Sequence, residues 1–227
     1  MLIRDFNNLP AVMKSDAVRI YYDMLNEKRA SMVLKRLFDI VFSLLLILLL
    51  SPLMLITALM VILDSRGPVF YRQIRVTKNL KEFKIIKFRT MRENNDGTDL
   101  FITLDDDIRV TKVGRRLRRY RLDELPQLFN ILKGDMSFVG TRPEVPKYVT
   151  EYTDEMMATL LLPGGLTSTA SILYRNEAIL LKSEVSADKI YIREILPNKM
   201  LHNLEYIRDY SFLGDIKILF KTLFSSV

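Results

Sequence analysis

The chain has 227 residues, 34 Lys and Arg against 27 Asp and Glu for a net charge of +7, and 49% apolar residues. The length allows one sizeable domain with an accessory segment, and the absence of Cys together with a single His, His202, excludes disulfides, thiol chemistry, His-rich metal sites and most Ser-His triads. Chemistry must rest on carboxylates, Lys, Arg, hydroxyls or a hard cation, and the basic surplus points to an anionic partner. That surplus is local: residues 1–64 carry +1, residues 65–150 carry +8 and residues 151–227 carry −2.

In chain order, residues 11–36 place Val18, Tyr21, Tyr22, Leu25, Met32 and Val33 at helical spacing, an amphipathic helix that fits either an interface or an ordinary surface. From Ile40 to Leu63, 24 residues run without a charge, which reads as a membrane segment. It starts too late and lacks the small-residue cleavage site of a signal peptide. Ser51-Pro52 divides the run into two arms, each of roughly 18 Å and short of a ~30 Å hydrocarbon core. Lys35 and Arg36 precede the run and Arg66, Arg72 and Arg75 follow it, so positive-inside bias places both ends on one face. A helix-break-helix that enters and leaves through one leaflet meets both conditions, with the Ser51 hydroxyl taking up a freed backbone group. A kinked spanning helix and a buried core helix are the alternatives.

After Gly67-Pro68 the β-branched and aromatic stretch to Met91 predicts a hairpin turning at Lys78-Asn79. Residues 93–107 read as a polar loop whose Asp105, Asp106 and Asp107 are a solvated run before they are a metal cluster. KVGRRLRRYR places six basic residues in positions 112–121. Leu125, Leu128, Phe129 and Leu132 then share one face of a helix that starts near Asp123, Glu124 and Pro126 and stops at Gly134. A further helix is predicted at about 147–161, and the stretch after Pro163-Gly164-Gly165 reads as irregular. In the tail, Ile216, Leu219, Phe220 and Leu223 share a face that suits the core somewhat better than an interface.

Asp123-Glu124 beside an arginine cluster is the most informative constellation. The helix dipole and nearby cations predict a low carboxylate pKa. An ionised Asp can attack phosphorus, an adjacent Glu can hold Mg²⁺, and Arg118 and Arg142 can hold phosphate oxygens. Acidic residues in a first helical turn also occur for capping alone.

KRLFDIVFSLLLILLLSPLMLITALMVILDSRGPVFYRQIRV, FKIIKFRTM and GRRLRRYRLDELPQLFNILKGDMSFVGTRPEVPKYV strongly resemble the bacterial sugar transferase family, the monotopic phosphoglycosyl transferases. The resemblance runs from about Tyr21 to the C-terminus. It implies transfer of a sugar 1-phosphate from a nucleotide diphosphate sugar, in the first instance a UDP-sugar, to undecaprenyl or another polyprenol phosphate, with release of UMP. It further implies a ping-pong route with Asp123 as nucleophile, Glu124 associated with Mg²⁺, phosphate contacts from Lys87, Arg89, Arg118 and Arg142, and a re-entrant break at Ser51-Pro52. Thr141 stands where the family usually has Pro. The region from Pro163 departs more: Arg175 and Asn176 alone remain of one family motif, and a usual Asp falls near Asn203. These departures bear on which sugar is used and on the part played by Arg175.

The expected fold is α+β: residues 1–34 an amphipathic extension, 35–66 the re-entrant helix and 67–227 a small cytoplasmic catalytic domain with interfacial helices and a short β-hairpin. The expected location is the cytoplasmic face of a bacterial inner membrane, in exopolysaccharide, capsule, O-antigen or glycoprotein glycan assembly. Expected partners are the UDP-sugar, polyprenol phosphate, membrane lipids, a second copy as a homodimer and downstream glycosyltransferases, with no nucleic acid. A membrane-anchored nucleic-acid binder would use KVGRRLRRYR, but Asp123-Glu124 beside it would repel phosphate without a cation. A recruiting scaffold would not need the acidic pair.

Overall fold

A computed structural model describes residues 3–92, 107, 109–175 and 188–225, and the fold is α+β. Helix α1, Asp16–Asn26, is capped by the Ser15 hydroxyl on the Val18 N–H and buries Val18, Tyr22 and Leu25. Its apolar face enters the largest core cluster together with Met32, Tyr148, Leu161, Met200 and Ile207. This is the packed-surface alternative for the amphipathic stretch, because the face is consumed by the core.

Helix α2, Arg29–Asp64, is one continuous helix with Pro52 inside it. The expected break is therefore not an interruption of the helix. Proline at position 52 removes the N–H that would bond the Leu48 carbonyl, and the Ser51 Oγ donates to that same carbonyl at 2.9 Å. One backbone acceptor is thus served locally. Among the described residues α2 is the one helix long and apolar enough to cross a membrane.

The packing of α2 is continuous too. Met32, Lys35, Asp39, Ser43, Met54, Thr57 and Val61 are buried, and Leu46, Ile47 and Leu50 pack partly buried between them. These positions recur every three to four residues, so one stripe of α2 lies on the rest of the protein from end to end. Leu34, Leu37, Val41, Leu45, Leu48, Leu55, Leu59 and Leu63 are exposed on the remaining surface.

Both ends of α2 are pinned by charge. At the N-terminal end Lys35 Nζ donates to Asp215 Oδ2 at 2.5 Å and to the Val139 carbonyl at 2.7 Å. Arg36 donates to the carbonyls of Ile131 and Leu132 at 2.7 and 2.8 Å, and Asp39 Oδ1 accepts from Ser137 Oγ and the Phe138 N–H. At the other end Asp64 accepts from the Val113 N–H at 3.0 Å. The cations read as topological flanks, Lys35, Arg36 and Arg75, are thus engaged in internal hydrogen bonds, whereas Arg66 and Arg72 are exposed.

Strands β1, Phe70–Thr77, and β2, Lys81–Phe88, form the expected antiparallel hairpin, with Thr77 opposite Lys81 and Tyr71 opposite Lys87. The turn is Lys78–Leu80, where Asn79 and Leu80 take positive φ. Helix α3, Lys112–Arg119, carries the basic run and packs Gly114 so closely on Thr90 that a Cβ would lie 2.1 Å from its carbonyl oxygen. Helix α4, Gln127–Lys133, ends at Gly134 with φ of 92°, and there Arg36 meets its last carbonyls. Its buried face is Gln127, Leu128, Asn130 and Ile131, with Phe129 exposed, a rotation from the expected leucine stripe. Asn130 sets the rotation: its amide accepts from the Ile86 N–H at 3.0 Å and donates to the Lys84 carbonyl at 2.9 Å, closing the free edge of β2.

Strand β3, Met136–Val139, pairs in parallel with β4, Gly164–Thr167. The start of the stretch expected to be irregular, Gly164–Thr167, is therefore strand, and residues 176–187 of it lie outside the described residues. Gly140 and Gly165 make this approach possible, since a Cβ on Gly165 would lie 2.1 Å from the Gly140 nitrogen. The single helix expected over 147–161 is two pieces, α5, Pro146–Val149, and a 3₁₀ stretch, Met156–Leu161. Two threonines divide it: Thr150 Oγ1 donates to the Lys147 carbonyl, and Thr153 Oγ1 accepts from the Met156 N–H.

Among the described residues there follow α6, Thr169–Leu173, a π-helical turn, Tyr191–Ile195, that runs into α7, Leu196–Arg208, and α8, Phe212–Ser225. The tail helix α8 turns Asp215 and Ile218 inward. Of the apolar face assigned to the core, Ile216 and Leu219 are partly buried, whereas Phe220 and Leu223 are exposed, as is Phe224. The cause is Asp215, which must reach Lys35 and accepts a second bond from the Tyr206 hydroxyl at 2.8 Å.

Candidate active site

Asp123 and Glu124 lie in a 3₁₀ turn, Leu122–Glu124, entered through Arg121 in the left-handed region with φ of 53°. A non-glycine residue held there costs of order 1 kcal/mol and directs the turn toward the hairpin. The basic block leading into a helix start therefore resolves into a cationic helix, a tight turn bearing the acidic pair, and a separate helix three residues later.

Glu124 is the hub. Its Oε1 accepts from Lys87 Nζ at 2.9 Å and from Arg142 Nη2 at 2.6 Å, and Arg121 lies 4.0 Å from its Oε2. Strand β2 supplies Lys87, and the loop after β3 supplies Arg142, whose other terminal nitrogen reaches the Leu166 carbonyl on β4 at 3.5 Å. Burial works to raise the Glu124 pKa, but Arg142 and Lys87 outweigh it and hold the carboxyl well below its usual range. Burial pulls the Lys87 ammonium down, opposed by the charge of Glu124.

Asp123 behaves in the opposite way. It is 8% exposed, and burial pushes its pKa up; Lys87 and Arg118 oppose the shift and Glu124 adds to it. The low pKa expected from a helix start is thus corrected: α4 begins only at Gln127, so its dipole is not at the carboxylate, and desolvation dominates. Two adjacent carboxylates thus sit in contrasting environments, Glu124 held by Lys87 and Arg142, Asp123 desolvated and without a side-chain hydrogen-bond partner among the described residues.

Of the phosphate-binding expectations, Lys87 and Arg142 converge on Glu124, and Arg118 acts electrostatically on both Asp123 and Asp107. Arg89 does not join them. It is buried, and its Nη2 donates to the carbonyls of Val61 and Ser65 and to Ser65 Oγ, so it anchors the end of α2. Strand alternation would put it on the face of Lys87, but β2 ends at Phe88 and Arg89 turns to the helix instead. Arg175 also lies elsewhere, donating to the Ser225 carbonyl at the end of α8. Asn203 is buried in α7 with its amide on the Met200 sulfur at 3.6 Å. Asp105 and Asp106 fall outside the described residues, and Asp107 pairs with Arg109 at 2.6 Å.

Among the described residues no group of three acidic or His side chains is gathered for a metal. The donor set at Glu124 suits a Mg²⁺ bound through one or two carboxylates and completed by substrate phosphates and water, not an all-protein cage.

A second layer escaped the sequence. Glu144 is buried; its Oε1 accepts from the Tyr191 hydroxyl at 2.6 Å and lies 3.6 Å from Lys199 Nζ, and its Oε2 is 3.8 Å from Arg75. Arg75 also donates to the Pro143 carbonyl at 3.0 Å, and the Val76 N–H to the Glu144 carbonyl at 2.9 Å. The segment that follows Arg142 is thus bolted to β1 and to α7. Glu144 lies two positions after Arg142, and that proximity was the available signal; its partners are 69, 47 and 55 residues away, beyond any local pattern.

A family model described as bacterial sugar transferase matches residues 30–227. A UDP-N-acetylgalactosamine-undecaprenyl-phosphate N-acetylgalactosaminephosphotransferase of Aeromonas hydrophila is 37% identical over 216 residues, 90% of this chain and 48% of that protein. A UDP-glucose:undecaprenyl-phosphate glucose-1-phosphate transferase of Escherichia coli (strain K12) is 39% identical over 196 residues, 85% of this chain and 40% of that protein. The chain thus spans about half or less of the length of these two relatives. A protein named as a sugar transferase in Bacillus subtilis (strain 168) is matched over most of both chains, 36% identical across 85% of this one and 86% of the other.

Proposed function

Because the chain belongs to the bacterial sugar transferase family, we propose that it moves a sugar 1-phosphate from a UDP-sugar to undecaprenyl or another polyprenyl phosphate and releases UMP. The carrying observation is the desolvated Asp123 beside Glu124 held by Lys87 and Arg142. The two relatives named for undecaprenyl-phosphate transfer support the substrate classes.

Asp123 attacks the phosphorus that bears the sugar. A bond from the Asp123 carboxylate oxygen to phosphorus forms, an acyl phosphate, while the diphosphate bridge breaks and UMP leaves with the bridging oxygen. An oxygen of the polyprenyl phosphate then attacks the same phosphorus, and the Asp123 carboxylate is released. The two half-reactions spare the site from holding two anionic phosphate substrates at once. Desolvation makes Asp123 more basic and therefore a better nucleophile once ionised. Lys87, Arg142 and Arg118 balance charge on the phosphoryl oxygens. Glu124 would hold Mg²⁺, which when bound neutralises the diphosphate.

The re-entrant placement of α2 belongs to the same proposal. A helix of 36 residues is roughly 54 Å long, more than a bilayer core requires. The domain lines one stripe of that length and grips both ends, at Lys35–Asp215 and at Asp64–Val113. A helix crossing the bilayer could not keep both ends on a domain that stays on one side. The exposed Phe220, Leu223 and Phe224 of α8 support its contact with the interface.

A panel of UDP-sugars with undecaprenyl phosphate, read as UMP release, tests the reaction. Release with at least one sugar, lost in Asp123→Asn while the protein stays folded, is the expected result. Full activity in Asp123→Asn, or no release with any sugar, would overturn it.

A further inference from the structure

Helix α3 carries a second cationic feature that the site does not use. Lys112, Arg115, Arg116 and Arg119 fall at i, i+3, i+4 and i+7 and all four are exposed. Gly114 and Leu117 take the buried face, and Arg118 is turned toward Asp123. Among the described residues no carboxylate pairs with any of the four, and the contact found for them is Arg119 over the Tyr120 ring at 5.8 Å.

Arg116 and Arg119 suit the last turn of α3, but the face as a whole is not explained by the helix itself. Like charges at i, i+4 repel, and Lys112 and Arg115 stand at the end of α3 where the dipole is already positive. The place of α3 in the fold gives the face a use. Leu117 and Val113 pack on Met54, Ala58 and Val61 of α2, and Asp64 of α2 accepts from the Val113 N–H. The same arm of α2 exposes Leu55, Leu59, Ile62 and Leu63. The cationic face therefore begins where an apolar, unpacked surface ends.

We propose that this face of α3 docks on the anionic phospholipid headgroups of the bilayer that receives α2. This rests on the membrane placement of α2 and adds a lipid-class preference that α2 alone does not supply. Apolar contacts of α2 are indifferent to headgroup charge, whereas clustered Lys and Arg favour an anionic surface by about fivefold per cation. The charge also fixes the rotation of the domain on the membrane, because one side of α3 alone carries it.

The chain has no cysteine, so a single introduced one labels a single place. The full chain is put into nanodiscs of phosphatidylcholine, or of phosphatidylcholine and phosphatidylglycerol in equal parts. A fluorophore at Tyr120→Cys is read against headgroup nitroxides, and one at Leu55→Cys against acyl-chain nitroxides. The expected result is quenching of Leu55→Cys in both discs, and of Tyr120→Cys more strongly with phosphatidylglycerol. Arg115→Gln, Arg116→Gln and Arg119→Gln together should weaken docking on the order of a hundredfold and abolish that preference, as should high salt, with Leu55→Cys unchanged.

Equal quenching of Tyr120→Cys in the two discs, or no effect of the triple change, would overturn the proposal while leaving α2 in the membrane. Absence of quenching at Leu55→Cys would overturn the membrane placement and this proposal with it. If the triple change weakened UDP-sugar binding and left the quenching intact, the face would belong to the substrate instead.

Discussion

Lys35→Met tests how α2 is held. In the structure Lys35 and Asp215 are 2.5 Å apart with 3% and 4% of their side chains exposed. Lys35 also serves the Val139 carbonyl, and Tyr206 holds the other oxygen of Asp215. Methionine keeps the length of the side chain and removes the charge, which leaves a buried carboxylate with a single hydroxyl partner. Removing one member of a buried pair costs about 3–5 kcal/mol, and for a chain of this size each kcal/mol lowers Tm by about 2–4 °C. The expected loss is therefore about 6–20 °C, measured by thermal unfolding of the full chain in nanodiscs. The double change Lys35→Met with Asp215→Leu should recover most of it, since an apolar pair of similar volume replaces the ion pair. A single variant that loses less than about 1 kcal/mol, or a double variant no better than the single, would refute the pinning of α2 by this pair.

Asp123→Asn should abolish turnover and raise Tm at neutral pH. The folded pKa of Asp123 lies above its unfolded value, so ionisation weakens the native state as pH rises through that window. The gain from asparagine should be present at pH 7 and shrink in acid as the wild-type carboxyl takes up its proton; unfolding curves at neutral and acid pH check the sign. Glu144→Gln should destabilise by about 2 kcal/mol by unbalancing Arg75 and Lys199, and should raise KM for the UDP-sugar through Arg142. Unchanged KM would leave Glu144 a purely structural residue. Ser51→Ala removes the donor to the Leu48 carbonyl and should cost about 1 kcal/mol in unfolding, whereas Ser51→Thr should retain it.

What was legible in the sequence was what local chemistry dictates. The hairpin turn at Lys78-Asn79 and the stop at Gly134 follow from residues that accept positive φ, and both stand in the structure. The acidic pair, Lys87 and Arg142 could be named from motif resemblance, and they meet at Glu124. What failed depended on distant partners. The Asp123 pKa is decided by burial, which spacing does not report. Arg89 sits two residues from Lys87 yet serves the end of α2, because alternate strand residues diverge once the strand ends. Strand β4 needed the match of Gly140 with Gly165 across 25 positions, and the rotation of α8 needed Asp215 to find Lys35.

Incubating the protein with UDP-sugar and Mg²⁺ in the absence of polyprenyl phosphate, followed by mass spectrometry of its peptides, addresses the covalent route most directly. A sugar phosphate carried on the peptide containing Asp123, formed with one equivalent of UMP and discharged on adding polyprenyl phosphate, is the predicted result. UMP release that requires polyprenyl phosphate from the outset, with no adduct on that peptide, would contradict it.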